Sequence, residues 1–334
     1  MENLLVNKVA AVKEVRQAAE YQKKKQACIL TGLAGSSKPV FFAAADKLLG
    51  GKGSMAFITA SREEIRTYRR ELNYLYPDLP MQELYPVSLP RVQADTQSLE
   101  LQAGRAAALR FLSGDERGIV FITAEALQQK QLRPSGMSGK ALQLAVGEEH
   151  EQRNIAAALL DLGYERTEQV DALGQFCLRG DILDVYPINS STAVRIEWFD
   201  NELDAMRSFD VDTQRSLQTL TSIKIAPLKV DESFSYDADI FEYCAADTMV
   251  VVDEPVHVFS MLEKLDKENK EHASELFGKQ ELIEQLAANG AVLVSALGHS
   301  YLQQLPSLNI PVRAVAPYNK NTNLLVEDLQ NWLA

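Results

Sequence analysis

The chain has 334 residues, more than one hydrophobic core usually organises, so two or three domains are expected. Hydrophobic residues make up 46% and charged residues 24%, a balance that argues against disorder. The formal net charge of −12 favours a protein partner over duplex DNA, because phosphate-holding surfaces are driven by counterion release and are usually basic.

No apolar run approaches the ~20 residues that a bilayer crossing needs, so no membrane association is expected. The opening MENLLVNKVAAVKEV lacks the apolar core and cleavage site of a signal peptide and reads as a short amphipathic helix. Cys28, Cys177 and Cys244 are far apart in sequence, which fits reduced thiols in a cytoplasmic protein. Four histidines, with no C-x-x-C or H-x-x-x-H, predict no metal site.

The basic run Lys23, Lys24 and Lys25 reads as a solvated helix end. Residues 27–34 (ACILTGLA) predict a buried strand entering a turn, and 39–49 a helix with Pro near its start, where the missing N–H costs little. SMAFITA (54–60) is the next strand. A helix follows through SREEIRTYRRELNYLY, whose Ser61 and Glu64 have capping-box spacing. Four prolines between 77 and 90 mark an irregular stretch, after which a helix over 91–113 and the strand GIVFITA (118–124) complete a strand–helix alternation. That alternation predicts a parallel sheet covered by helices.

The texture changes at the Pro/Gly/Ser-rich joint Leu132–Lys140. ALQLAV, a helix over 150–162, and the segments QFCLRGDILDVYP, TAVRIEWFD and ELDAMRSFD then read as an α+β unit of antiparallel strands, with Asp200-Asn201 a turn pair. From about Asp212 the α/β texture resumes with SIKIAP, TMVVVDEP, a long charged helix over 256–288, and AVLVSA. The expected organisation is a first part of one α/β domain (1–130), an α+β insert (131–213), and the second part of that domain (214–334).

Between the first strand and its helix lies a loop comparable with the phosphate loop G-x-x-x-x-G-K-[ST], in which glycines let amides wrap phosphates, Lys reaches the outer ones, and the hydroxyl holds Mg²⁺. The sequence here is Gly32-Leu33-Ala34-Gly35-Ser36-Ser37-Lys38-Pro39. Gly32 and Lys38 are in register and Gly35 lies between them, but Ser37 replaces the second required Gly and Pro39 the metal-binding hydroxyl. A Cβ at 37 restricts the backbone, and Pro39 removes an N–H and a Mg²⁺ ligand, so productive Mg–ATP binding should be lost. The alternative is a strand-to-helix turn that never held nucleotide. Asp253 and Glu254 end an apolar strand, where motor ATPases place metal-binding and water-activating carboxylates. Two remnants in order favour a decayed nucleotide site on an α/β frame of P-loop NTPase type, which the family resemblance drawn from the next stretch implies is a degenerate helicase-like domain. His257 gets no catalytic role, and no nucleophile–base arrangement is recognisable, so no catalytic residue is assigned.

The most specific stretch runs through Tyr164-Glu165-Arg166 and Gly174-Gln175-Phe176-Cys177-Leu178-Arg179-Gly180-Asp181-Ile182-Leu183-Asp184-Val185-Tyr186-Pro187. It resembles the Y-x-R and R-G-x-F-R-V-R-G-D segment of the excision-repair helicase UvrB. Val194–Leu203 matches the tract that follows there. Phe209-Asp210-Val211-Asp212-Thr213-Gln214-Arg215-Ser216-Leu217 departs from UvrB and is similar to the F-D-x-x-T-Q-R-S-L of the transcription-repair coupling factor family (Mfd). The broken loop fits that family's N-terminal UvrB-homology module, in which the ATP motifs are lost.

The resemblance implies that the insert docks UvrA, with Arg166, Phe176 and Arg179 at the positions of the family's contact residues. Cys177 stands where the family has a further Arg, and Leu173 where it has another. It implies a longer parent whose motor domains use ATP and Mg²⁺, and which meets RNA polymerase and duplex DNA through those other domains; this chain itself would need no cofactor. A residual nucleotide-binding ATPase domain and a DNA-binding helicase-like module stay open as alternatives. So do several readings of single residues. Arg179 pairs with Asp181 or Asp184 if it is not a contact. Alternation places Phe176 and Leu178 on one strand face and Cys177 and Arg179 on the other, which favours Phe176 as core. Trp198 and Phe199 point to opposite faces, and Arg195 and Arg207 read as solvated strand arginines.

Overall fold

A computed structural model describes residues 4–89, 99–134, 141–228, 236–296, 305–312 and 322–333. The first segment forms α1 (Leu4–Ala10), α2 (Lys13–Lys23), β1 (Cys28–Thr31), α3 (Ser37–Leu48), β2 (Met55–Thr59), α4 (Arg62–Leu75) and β3 (Met81–Leu84). It continues through α5 (Leu99–Ser113), β4 (Ile119–Thr123), α6 (Ala124–Gln128) and β5 (Gln131–Leu132). The chain then runs through β6 (Leu142–Ala145), α7 (Gln152–Asp161), β7 (Glu165–Arg166), β8 (Gln175–Arg179), β9 (Ile182–Val185), β10 (Ala193–Phe199), β11 (Glu202–Phe209), β12 (Ser216–Leu220) and β13 (Ser222–Ile225). It closes with β14 (Tyr236–Ala238), β15 (Met249–Asp253), α8 (Pro255–Glu268), α9 (Lys279–Ala288), β16 (Val292–Ser295), β17 (Ser307–Asn309) and α10 (Thr322–Leu333).

Seven strands from both ends of the chain make one sheet in the order β17-β1-β16-β15-β2-β4-β3, every pair parallel. Strands β2, β4 and β15 read MAFIT, IVFIT and MVVVD and are buried throughout, because helices cover both sheet faces and leave no side for polar residues. Phe41, Phe42, Phe57, Tyr68 and Phe121 fill one side; Ile58, Leu84, Ile122, Val252, Val258 and Leu262 are among those filling the other. The expected α/β class holds. The predicted capping box forms too: the Ser61 amide donates to Glu64 Oε2 at 3.0 Å.

The insert carries its own six-stranded sheet, β12-β11-β10-β9-β8-β7, antiparallel except where β7 meets β8. Its core sets Phe176, Leu183, Val194, Ile196, Trp198 and Met206 against Ile155 and Leu159 of α7. Asp200 turns β10 into β11 with a left-handed φ of 55°, a conformation Asp tolerates better than most residues. The insert joins the large domain through a short clasp: β5 pairs antiparallel with β14, and Arg133 Nε lies 2.8 Å from Asp237 Oδ1.

Four expectations are corrected. The insert does not end at 213, since β12 adds to β11 and β13 pairs with β6; the SIKI segment belongs to the insert and is not a return to the α/β domain. Ile225 is fully buried in the insert core, which is why the chain cannot leave earlier. The helix expected over 256–288 is two, separated by a 3-10 turn at Lys270–Glu275 that has a non-helical His272. The N-terminal stretch is two helices, α1 and α2. Part of the helix expected over 91–113 (91–98) and part of the joint at 132–140 (135–140) lie outside the described residues. No described helix is long and apolar enough to cross a membrane.

Candidate functional site

Two places contain the residues singled out by sequence. The first is the loop between β1 and α3. Gly32 has φ +87°, and a Cβ there would sit 2.7 Å from the Ile310 carbonyl oxygen, so only glycine fits. Gly35 is also left-handed, at φ +53°, with open space around it. The loop then closes on itself. Ser37 Oγ accepts from the Ala34 amide at 3.0 Å and donates to the Ala34 carbonyl at 2.7 Å. The Ser37 and Lys38 amides donate to the carbonyls of Ala34 and Gly35. The amides of Ala34, Ser37 and Lys38, which an open phosphate loop could turn toward an anion, are therefore spent inside this one. Pro39 is buried in the first turn of α3.

Lys38 does not reach outward. Its Nζ lies 2.6 Å from Asp253 Oδ1 and 2.7 Å from Glu254 Oε1, with its side chain 8% exposed. Burial, the largest influence, works against the ammonium, yet the bonds to Asp253 and Glu254 hold its pKa above the usual lysine value. Burial likewise opposes the Glu254 carboxylate. Its bonds from Lys38 and the Ala296 amide outweigh that and hold its pKa below the ordinary glutamate value. Glu254 also accepts from Ser295 Oγ at 3.2 Å and has an unusual left-handed φ of 41°. The two expected remnants are thus brought together, but as partners of each other. Among the described residues no group of acidic, His or Cys side chains is placed to hold a metal ion.

The second place is the insert sheet. Arg166 is exposed on the edge strand β7 and makes no ion pair among the described residues. Phe176 is 0% exposed and packed in the insert core. Its assignment as a docking contact is therefore corrected to a supporting one: a ring with no exposed surface cannot touch a partner. Arg179 projects from the other side of β8 with 54% of its side chain exposed, and its Nη2 lies 3.1 Å from Asp184 Oδ2. Of the two carboxylates weighed, Asp184 is the partner; Asp181 accepts from Gln152 instead.

Cross-strand register makes this arrangement. Cys177 faces Asp184, Asp184 faces Arg195, and Arg195 faces Arg207, across four neighbouring strands. One end of this face is covered by Val170, Cys177, Ala193 and Phe209. Cys177 is buried with its thiol 2.9 Å from the Glu168 carbonyl. Beyond that cover lie Arg179, Ile182, Glu197 and the 73% exposed Phe199, while Trp198 turns into the core and donates Nε1–H to the His150 carbonyl. Arg207 pairs with Glu197.

Arg195 is not the solvated residue expected. Its Nε and Nη2 bind both oxygens of Asp184 at 2.7 and 2.8 Å, its guanidinium lies 4.8 Å from the Phe209 ring centroid, and Nη2 donates to Gln214 Oε1 at 3.2 Å. The bond to Asp184, against the opposing effect of burial, raises its pKa above the usual arginine value. Asp184, 2% exposed, is the organiser that sequence reasoning missed as such, together with Gln214. The available signal was the period-two alternation of β9 and β10. Which acidic residue it sets against which arginine depends on register.

Residues 142–230 match a family model described as the UvrB interaction domain. The chain is also similar to the transcription-repair-coupling factor of Bacillus subtilis (strain 168), 36% identical over 203 residues, covering 60% of this chain and 17% of that protein. It is similar to the same-named proteins of Escherichia coli (strain K12), 28% identical over 165 residues (49% and 14% covered), and Haemophilus influenzae, 30% over 169 residues (49% and 14%). The matches span less than a fifth of these relatives' length. They support the resemblance read from the hairpin: the chain is similar to a UvrB-related module of transcription-repair coupling factors.

Proposed function

We propose that this chain, with its UvrB-type interaction domain, recruits UvrA to sites of transcription-coupled repair and does so without an ATPase of its own. One observation carries the reading. Within the matched segment, Arg166 on the edge strand β7 and Arg179 on β8 both stand exposed, on opposite faces at one edge of the sheet, and guanidinium is the group best suited to bidentate pairing with a partner's carboxylates. The absence of ATP chemistry rests on the self-closed loop and on Lys38, which is tied to Asp253 and Glu254. The cytoplasmic parent protein would supply the rest: motor domains using ATP and Mg²⁺, and contacts to RNA polymerase and duplex DNA.

The test is a calorimetric titration of UvrA into this chain. Replacing Arg166 and Arg179 by Glu together should weaken binding at least tenfold while the thermal midpoint stays put. Unchanged affinity in the folded double variant removes the docking assignment. Micromolar, Mg²⁺-dependent binding of a fluorescent ATP analogue would overturn the nucleotide-free half of the proposal, and strongly salt-dependent duplex affinity would favour direct DNA binding.

A further inference from the structure

The nonapeptide Phe209–Leu217 matches the coupling-factor motif but contributes no residue to the docking pair, and the structure shows what it builds. Asp210 Oδ1 accepts from both the amide and the hydroxyl of Thr213, at 2.8 and 2.7 Å, and the Asp210 amide donates to the Arg215 carbonyl. This tight turn forces Gln214 to a left-handed φ of 58°. The Gln214 side chain is then fixed at both ends: Nε2 donates to the Val211 carbonyl at 2.8 Å, and Oε1 accepts from Arg195. Arg195 in turn binds both oxygens of Asp184, and Asp184 Oδ2 also takes Arg179.

We propose that Asp184 is the positioning residue of the docking face: braced by Gln214 through Arg195, it holds the guanidinium of Arg179 where an acidic partner group meets it. This deepens the docking role proposed above and rests on it. The two arginines on Asp184 are not equivalent. Arg195 makes two short bonds with a side chain 20% exposed; Arg179 makes one longer bond and is 54% exposed. Arg195 therefore keeps the buried carboxylate neutralised, while Arg179 keeps most of its donors free for a second carboxylate. Arg has five N–H donors in a fixed fork, so one internal bond leaves a face for the partner. Holding a long side chain in place before the encounter removes part of the ordering cost of binding. The face should accordingly favour a partner that brings an acidic group over one that brings an anion-free apolar patch.

The experiment is a double-mutant cycle on UvrA affinity with the whole chain, using Asp184→Asn, Arg179→Ala and both together, each checked for an unchanged fold by its circular dichroism spectrum. Asp184→Asn should weaken UvrA binding about fivefold, the loss expected when one flexible side chain must be ordered on binding. In the Arg179→Ala background the same change should have no effect. Asp184→Glu, which keeps the charge, should recover most of the loss, and Gln214→Ala should reproduce a fraction of it. If Asp184→Asn weakens binding equally with and without Arg179, Asp184 acts only through general stability and the proposal falls alone. If Arg179→Ala and Arg166→Ala both leave UvrA binding intact, the docking reading falls and takes this one with it.

Discussion

Lys38 and Asp253, 215 positions apart in the chain, meet with Nζ 2.6 Å from Oδ1, and Glu254 closes on the same ammonium at 2.7 Å. The contact ties the start of α3 to the end of β15, across the whole insert. In an open phosphate loop the lysine faces a ligand. Here it serves as a strut inside the large domain, and its replacement should be felt as instability.

Lys38→Met would leave two carboxylates beside a buried apolar chain. Breaking one side of a buried ion pair costs about 3 kcal/mol or more, because the remaining charge is unpaired. Urea unfolding should show the midpoint falling accordingly with an unchanged slope; a variant as stable as the parent would mean that the pair is not a strut.

The same triad predicts a pH dependence. The folded-state pKa of Glu254 is held below its ordinary value, so its contribution is present above about pH 4.3 and lost as pH falls through the lowered folded value. Lys38 is shifted the other way: its contribution is present below about pH 10.4 and is lost as pH rises through its raised value. As pH is lowered from 6 to 2, unfolding midpoints should fall less steeply in Lys38→Met than in the unsubstituted chain. Identical slopes would show that the Lys38 contacts do not set the Glu254 titration.

Phe176 separates support from contact. Phe176→Ala should cost about 3–5 kcal/mol of stability by opening a cavity in the insert core. Phe176→Leu should leave UvrA affinity within twofold in the folded protein, as measured by calorimetry. A tenfold loss with the thermal midpoint preserved would return Phe176 to the docking surface.

The corrected boundary can be checked by expression. A fragment of residues 141–228 contains β6, β13 and both edges of the insert sheet, and should unfold in one cooperative transition. A fragment of residues 131–213 lacks β12, β13 and the buried Ile225, and should show no cooperative melt by calorimetry.

Sequence by itself determined the features set within a few residues of the chain. The alternation of apolar strands and helices gave the parallel-sheet class, and the run Tyr164–Leu217 gave the family resemblance. Ser37 and Pro39 set the loop after β1 apart from the phosphate-loop pattern. Period-two alternation put Phe176 and Arg179 on opposite faces of β8, and the structure keeps them there. Local backbone geometry dictates such patterns whatever lies across from them.

Tertiary structure alone decided who meets whom. Asp181 and Asp184 were equal candidates for Arg179 until the β8–β9–β10 register put Asp184 beneath both Arg179 and Arg195. Arg195 looked solvated because neither its carboxylate, eleven positions back, nor Gln214 on a later turn is marked by spacing. SIKI looked like a return to the large domain until it paired with β6, some eighty residues earlier. One strand pattern is compatible with many neighbours, and long-range pairing selects among them only when the whole core closes. The loop from Gly32 to Pro39 shows both halves: its departure from the phosphate-loop pattern is written in Ser37 and Pro39, but the ion pairs of Lys38 exist only where Asp253 and Glu254 fold onto it.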